Sequence, residues 1–309
     1  METTSCRRMP TALSAIASIA LGGCSTLGPE QPLADGDGDT GAAATLARPQ
    51  PAADAATAGD VPGGPSIAME RPFVPDALPR ADQLPWWRLR AGFRLPEVEA
   101  ARLQSELERY RGLQSHFEAV ARRARPYLRH ILDRIEAREL PAELVLIPVV
   151  ESAFRPFAYS RARAGGLWQF KPMTGRRFGL EQNWWYDGRR DVLASTDAAL
   201  DYLEYLHGFF DGDWLLAIAA YNGGEGTVRR AVRANRAAGE PTDFWHLDLP
   251  QQTEDYVPRL LALREIFREP SAHGIALPSM PESESLEVVE AGGQVDLAVA
   301  ADMAGLSLD

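Results

Sequence analysis

This 309-residue sequence predicts a mainly α-helical folded region behind an N-terminal disordered tether, on three observations. From Ala101 to Phe267 apolar residues recur at helical spacing, and no run of alternating strand pattern interrupts them. Within that span Leu144, Val145, Leu146, Ile147, Val149 and Val150 are apolar on every side, as in a short helix buried in a core. Ahead of it, Ser25 to about Arg80 is dense in Ala, Gly, Pro and Asp and keeps neither a strand nor a helix period.

Bulk composition agrees. Hydrophobic residues at 45% and charged residues at 24% allow a sizeable core. A formal net charge of -11 and a pI near 5.1 argue against a nucleic-acid partner, whose phosphates call for a basic surface. Arginine carries nearly all the positive charge, Lys171 being the sole lysine, and no arginine block marks a polyanion site.

Taken in order, residues 1–24 read as a targeting segment: Arg7 and Arg8 precede the short apolar stretch Ala12 to Leu21, which is too short for a permanent membrane span. Leu21-Gly22-Gly23-Cys24 resembles the lipobox of bacterial lipoproteins, which implies lipidation at Cys24, an anchor to the membrane, and, with Ser25 following, an outer-membrane location facing the periplasm. A plain secretory signal is the alternative. Cys6 falls in the removed part, leaving the mature chain no thiol for a disulfide. The tether, residues 25–80, has a root-mean-square span of roughly 40 Å. Its Asp35 to Asp39 alternation lacks the closing glutamate of a calcium loop, so no metal is expected there.

Trp86, Trp87, Phe93 and Leu95 open the folded part, whose residues 84–139 form a helical N-terminal portion. Ala101 to Tyr110 and Phe117 to Leu140 read as helices, the second with Val120, Ala124, Tyr127, Leu128, Ile131, Leu132 and Ile135 on one stripe; Pro126 kinks it or marks its true start. His116 and His130 have no metal-ligand spacing. The principal domain, residues 140–268, begins with the apolar run, and Glu151 falls near the end of its helix. Burial and the negative end of the helix dipole both disfavour the ionised form, so the pKa of Glu151 is predicted to rise, as a proton-donating acid requires. The bland alternative is a glutamate escaping to solvent where the helix ends.

Beyond it, Ser195-Thr196-Asp197 reads as the N-cap of a helix to about Phe210, and Asp213 caps a wholly apolar helix stopped by Gly223 and Gly224. Gly226-Thr227 starts another through Arg236, and Thr253-Glu254-Asp255 opens a last long one to Phe267. Residues 286–309, a possible strand, turn and helix, are too few to hold a core and read as a truncated module or natural short end.

Three separated motifs carry a resemblance: Glu151-Ser152, Gly166-Leu167-Trp168-Gln169 and Ala220-Tyr221-Asn222. With the flanking Asn183-Trp184-Trp185-Tyr186-Asp187 and Asp255-Tyr256-Val257-Pro258-Arg259, they resemble the catalytic domain of the family 1 lytic transglycosylases over roughly Leu84 to Phe267. The resemblance implies a lysozyme-like (SLT-type) domain acting on peptidoglycan glycan strands, as a monomer and with no cofactor. It implies that Glu151 protonates the glycosidic oxygen and then takes the proton of the C6 hydroxyl, which attacks C1 to leave a 1,6-anhydro end. Ser160 would hydrogen-bond substrate or Glu151, Gln169 would offer a donor and an acceptor to a sugar, Tyr221 would hold Glu151 by its hydroxyl, and Asn222 would bind the N-acetyl region. Trp168 and Tyr256 are expected to meet substrate. Gly223, where alanine is commoner in the family, should affect only the turn. Trp184, Trp185 and Tyr186 are either core or flat faces for sugar rings.

Most glycosidases use two carboxylates. Of the nearest, Glu181, Asp187 and Asp191, only Asp187 is kept as a candidate partner for Glu151. A muramidase hydrolase of the same fold and a non-catalytic envelope-binding lipoprotein remain as alternatives.

Overall fold

The apolar run at the centre of the sequence becomes a short 3₁₀ turn, Ala142–Leu146, that passes directly into the helix α5, Ile147–Ser152. The computed structural model describes residues 80, 83–98, 101–280, 293 and 295–305; Cys24 and the tether lie outside the described residues, as does much of 286–309. Pro148 sits in the first turn of α5, where a missing N–H costs nothing, and Ala153 ends the helix in the left-handed region at φ 49°. Leu144, Leu146 and Ile147 are fully enclosed, each worth about 2 kcal/mol of burial.

Around this segment the chain packs α1 (Leu84–Ala91), α2 (Ala101–Tyr110), α3 (Gln114–Ala124), α4 (Leu128–Ala137), α6 (Pro172–Arg177), α7 (Val192–Phe209), α8 (Trp214–Gly223), α9 (Glu225–Ala238) and α10 (Gln251–Arg268). A further helix, α11, Leu297–Ala304, is capped by Asp296. Among the described residues the extended backbone amounts to isolated bridges, Tyr159 to Gly165, Gly165 to Phe170 and Gln182 to Asp187.

Helix α10 is the axis of the core. Val257, Leu260, Leu261, Ala262, Leu263 and Ile266 are all fully buried, and α2, α8 and the 3₁₀ turn pack on it. Helix α8 is apolar on all sides, as Leu215, Leu216 and Ile218 predict, and is enclosed by α7, α9 and α10. Asp213 caps it by accepting from the Leu216 N–H, as the sequence suggested.

Pro126 interrupts the chain where the sequence reading allowed a kink or a helix start, and the start of α7 differs from that reading. The stretch from Phe117 to Leu140 is two helices, broken at Arg125 to Tyr127 where Pro126 cannot continue the ladder. Helix α7 starts at Val192 with Asp191 as its cap, whose carboxylate accepts from Ala194 N–H. Ser195 and Thr196 are buried inside it, while Asp197 turns outward to pair with Arg134 and Arg138.

Candidate active site

Glu151 stands at the junction of two depressions on one face of the helical core. The larger has a volume of about 820 Å³ and is lined by Ser160, Gln169, Lys171, Tyr221, Asn222, Glu225, Thr253, Tyr256 and Arg259. The smaller, about 420 Å³, shares Glu151, Ser160 and Gln169 with it and continues past Tyr110, His116 and Arg155. A groove open on both sides of one carboxylate suits a polymer held across its scissile bond.

Burial pushes the Glu151 carboxyl up to about 7, against the downward pull of a Tyr256 hydrogen bond and the charges of Lys171 and Arg259. The Tyr256 hydroxyl donates to Glu151 Oε1 at 2.7 Å. Burial and the Glu151 charge both hold the Tyr256 phenol well above its ordinary value, so it stays a donor at every physiological pH. The expectation that Tyr221 holds Glu151 is therefore corrected. The Tyr221 hydroxyl donates instead to the Trp168 carbonyl at 2.9 Å, tying α8 to the loop beside the acid while its ring lines the groove.

That loop, from Ala158 to Phe170, is wound by short-range bonds. Gly165 N–H donates to the Phe170 carbonyl, Gly166 N–H to Ala158, and Ser160 N–H to Ala164. Gly166 is required: at φ 82° a Cβ there would lie 1.6 Å from the Arg189 carbonyl oxygen. Ser160 lines both depressions, but its hydroxyl accepts from Ala164 N–H at 3.0 Å rather than bonding Glu151, and keeps its proton for a ligand. Gln169, at φ 50°, spends its amide hydrogens on the carbonyls of Gly166 and Ala158, leaving the groove an acceptor where a donor and an acceptor were expected.

Trp168, expected to meet substrate, lies outside both depressions. It is 0% exposed, absent from the lining, and its indole N–H donates to Thr196 Oγ1 at 3.0 Å, so its work is to pack the loop on α7. Asn222 does line the groove, its carbonyl oxygen accepting from the Thr253 hydroxyl at 3.1 Å, which leaves its amide hydrogens for a ligand. Gly223 is more than a turn residue: a Cβ there would stand 2.6 Å from Thr253 Oγ1, so α8 and α10 approach closely only because it is glycine.

Asp187, the candidate second carboxylate, is withdrawn from the groove. Arg189 clamps both its oxygens, Nε on Oδ1 at 2.8 Å and Nη2 on Oδ2 at 2.7 Å, and holds its pKa below the usual carboxylate range. Arg189 also donates to the carbonyls of Arg163 and Phe170, so the pair supports the wound loop. The carboxylate that sequence reasoning missed is Glu225, at the start of α9 and in the groove lining. Against burial, a backbone N–H bond, Arg177 at 2.9 Å and the Tyr202 hydroxyl at 3.4 Å keep it below its ordinary range, and it is not among the charges that act on Glu151. Among the described residues no group of three His, Cys, Asp or Glu could hold a metal ion.

Residues 134–244 match the family model described as Transglycosylase SLT domain. The chain is 47% identical over 214 residues to the membrane-bound lytic murein transglycosylase D of Escherichia coli (strain K12), a match over 69% of this chain and 47% of the relative. It thus spans about half the length of that relative. A protein of Alteromonas sp. (strain M-1) named for tributyltin chloride resistance is 41% identical over 180 residues, 58% of this chain and 83% of the relative. The crystal structure of the 70 kDa soluble lytic transglycosylase of Escherichia coli aligns at a TM-score of 0.36 and 23% identity, over 66% of this chain and 31% of that one. The helical architecture and the family match give the folded region its class, a mainly α, lysozyme-like domain of SLT type.

Proposed function

Since the chain belongs to the family 1 lytic transglycosylases, we propose that it cleaves the β-1,4 bond between N-acetylmuramic acid and N-acetylglucosamine in peptidoglycan without consuming water. The observation that carries this reading is a carboxyl held near neutrality in a groove where no other carboxylate acts on it. At about 7 Glu151 is present in both forms at physiological pH, so one group can serve as acid and then as base. Protonated Glu151 gives its proton to the glycosidic oxygen as that bond breaks, with the substrate's N-acetyl group stabilising the sugar cation. The resulting carboxylate, steadied by Tyr256, takes the proton of the C6 hydroxyl as its oxygen closes on C1. Both reacting groups belong to one sugar, so the attack gains from effective concentration.

Hydrolysis would need a second carboxylate to activate water. Glu225 lines the same groove, yet its pairing with Arg177 and Tyr202 fits an ionised structural or binding group. Product mass decides: peptidoglycan digested by the full chain should release fragments ending in 1,6-anhydro-N-acetylmuramic acid. Reducing ends heavier by one water would replace this reading with the muramidase.

A cell-envelope setting follows from the substrate, and the name of the Escherichia coli relative supports it. No described helix is long and apolar enough to cross a membrane. Lipidation at Cys24, with the outer membrane as destination, is our reading of the anchor. Cys24→Ala should move the chain from the membrane to the soluble fraction; continued sedimentation of the variant with membranes would refute it.

A further inference from the structure

Trp184 and Trp185 stand 89% and 90% exposed, side by side, on a loop that the chemistry above does not use. One exposed tryptophan is ordinary, but two adjacent ones on a braced loop are not. The bracing is extensive. Asn183 Oδ1 accepts from the N–H groups of Trp185 and Tyr186, each at 2.8 Å, and Asn183 N–H donates to the Tyr186 carbonyl. The Tyr186 hydroxyl donates to Asp191 at 2.9 Å, and Gly188 N–H closes the base of the loop on the Glu181 carbonyl. None of these bonds needs an indole ring, so the tryptophans are not what folds the loop.

The loop is seated beside the groove. Gln182 donates to the Pro172 carbonyl in the first turn of α6, whose neighbours Lys171 and Thr174 line the larger depression. Met173, 81% exposed, lies on that same turn. We propose that Trp184 and Trp185 form a carbohydrate-stacking platform that takes rings of the glycan strand after it leaves the groove. This rests on the reading of the substrate as a glycan. Pyranose rings present flat C–H faces that indoles cover while the hydroxyls stay in water, and a pre-braced loop loses little entropy on binding. From Glu181 to Asp187 the loop carries acidic residues and no Lys or Arg, which gives an anionic lipid surface nothing to bind. Two side chains alone fall far short of the roughly 1,000 Å² that a stable dimer contact needs. A polymer substrate, by contrast, must continue beyond the groove.

The test compares the full chain with its Trp184→Ala/Trp185→Ala double variant on long glycan strands and on short oligosaccharides that fill only the groove. On long strands KM should rise about tenfold with kcat unchanged, since the two rings add binding that is the same in the ground and transition states. On short ones the two proteins should be equal, and their melting temperatures should coincide. A double Trp→Tyr variant should recover much of the loss. Equal losses on short and long substrates, or no loss on either, would overturn the platform. So would a variant that changed only vesicle binding or oligomeric state. If the parent cleaves neither substrate, the proposed function fails; co-sedimentation of parent and variant with insoluble glycan still tests the platform, because weaker binding by the variant supports it and equal binding refutes it.

Discussion

Glu143 and Glu151 sit on the same apolar segment, both are withdrawn from water, and burial pushes both carboxyls up. They differ in what meets their oxygens. Glu143 is 0% exposed and accepts from Arg94 N–H at 2.9 and 3.0 Å and from Leu95 N–H at 2.9 Å, with the buried Arg264 nearby. Arg264 in turn donates to the carbonyls of Leu95 and Pro96, so the strand of chain from Arg94 to Glu97 is clamped from both sides. Glu151 has one phenol and an open groove. A buried carboxylate saturated by backbone N–H groups is a structural tie; one left with an unsatisfied oxygen facing a cavity can exchange a proton with a ligand. Burial alone does not tell an acid catalyst from a tie.

The same substitution at both positions should therefore act in opposite ways. Glu151→Gln removes the transferable proton and keeps the shape, so glycan cleavage should fall by roughly two to four orders of magnitude while glycan binding survives. Its stability effect has a definite sign. The folded carboxyl at about 7 lies above its ordinary 4.5, so the stability it contributes is full below about 4.5 and is lost as the pH rises through about 7. Relative to the Gln variant, which does not titrate there, the parent should lose on the order of 3 kcal/mol across that window. Denaturant midpoints at pH 4.5 and 8 measure this, and a parent-to-variant gap that does not change would contradict it.

Glu143→Gln replaces one acceptor oxygen by an amide that faces backbone N–H groups. Weakening these charge-assisted bonds should cost about 2 kcal/mol, read as a lower urea midpoint, with activity per folded molecule preserved. If that variant stays stable but loses activity, the two roles have been assigned the wrong way round.

Tyr256→Phe sharpens the contrast at the Glu151 end. Without the hydroxyl the carboxyl should rise further, moving the alkaline limb of the kcat/KM profile upward, and the loosened acid should slow cleavage about tenfold. Tyr221→Phe is the control, because its hydroxyl serves the Trp168 carbonyl: the limb should stay in place. A shift for Tyr221→Phe and none for Tyr256→Phe would restore the assignment suggested by the sequence.

How far the sequence could be read follows from the range of each interaction. The helical class, the apolar burial of α5 and α8, and the Asp213 cap are local and were legible in residue spacing. The start of α7 was not, because Asp191 and the Ser195-Thr196-Asp197 cluster offer rival caps a turn apart, and only packing decides which polar groups are enclosed. Motif residues identified the neighbourhood of Glu151 but not their duties there. Trp168 was expected to meet substrate and is core; Trp184 and Trp185 were ambiguous and are exposed. Tyr256 reaches Glu151 from α10, a contact that no periodicity encodes. Glu143 satisfied the same burial criterion as Glu151 and carried no sequence signal that its oxygens were already occupied.

The smallest expected effect separates packing support from chemistry. At Gly223 an added Cβ would meet Thr253 Oγ1 at 2.6 Å and Cγ2 at 2.9 Å, and Thr253 is β-branched, buried and hydrogen-bonded to Asn222. Gly223→Ala gains up to about 1 kcal/mol of helix propensity but forces α8 and α10 apart, for a net loss of about 1 kcal/mol. In a Thr253→Ala background the obstructing atoms are gone, leaving only Cβ at 3.3 Å, and the same Gly223→Ala change should become neutral or stabilising. A double-mutant cycle in urea should give a coupling of at least about 1 kcal/mol, since the two sites share one contact. Additive effects would mean that the close approach of the helices does not depend on this glycine. Glu151, which neither change touches, should keep the pH dependence of the parent throughout the cycle; a displaced profile would show that the Asn222 side of the groove feeds back on the acid.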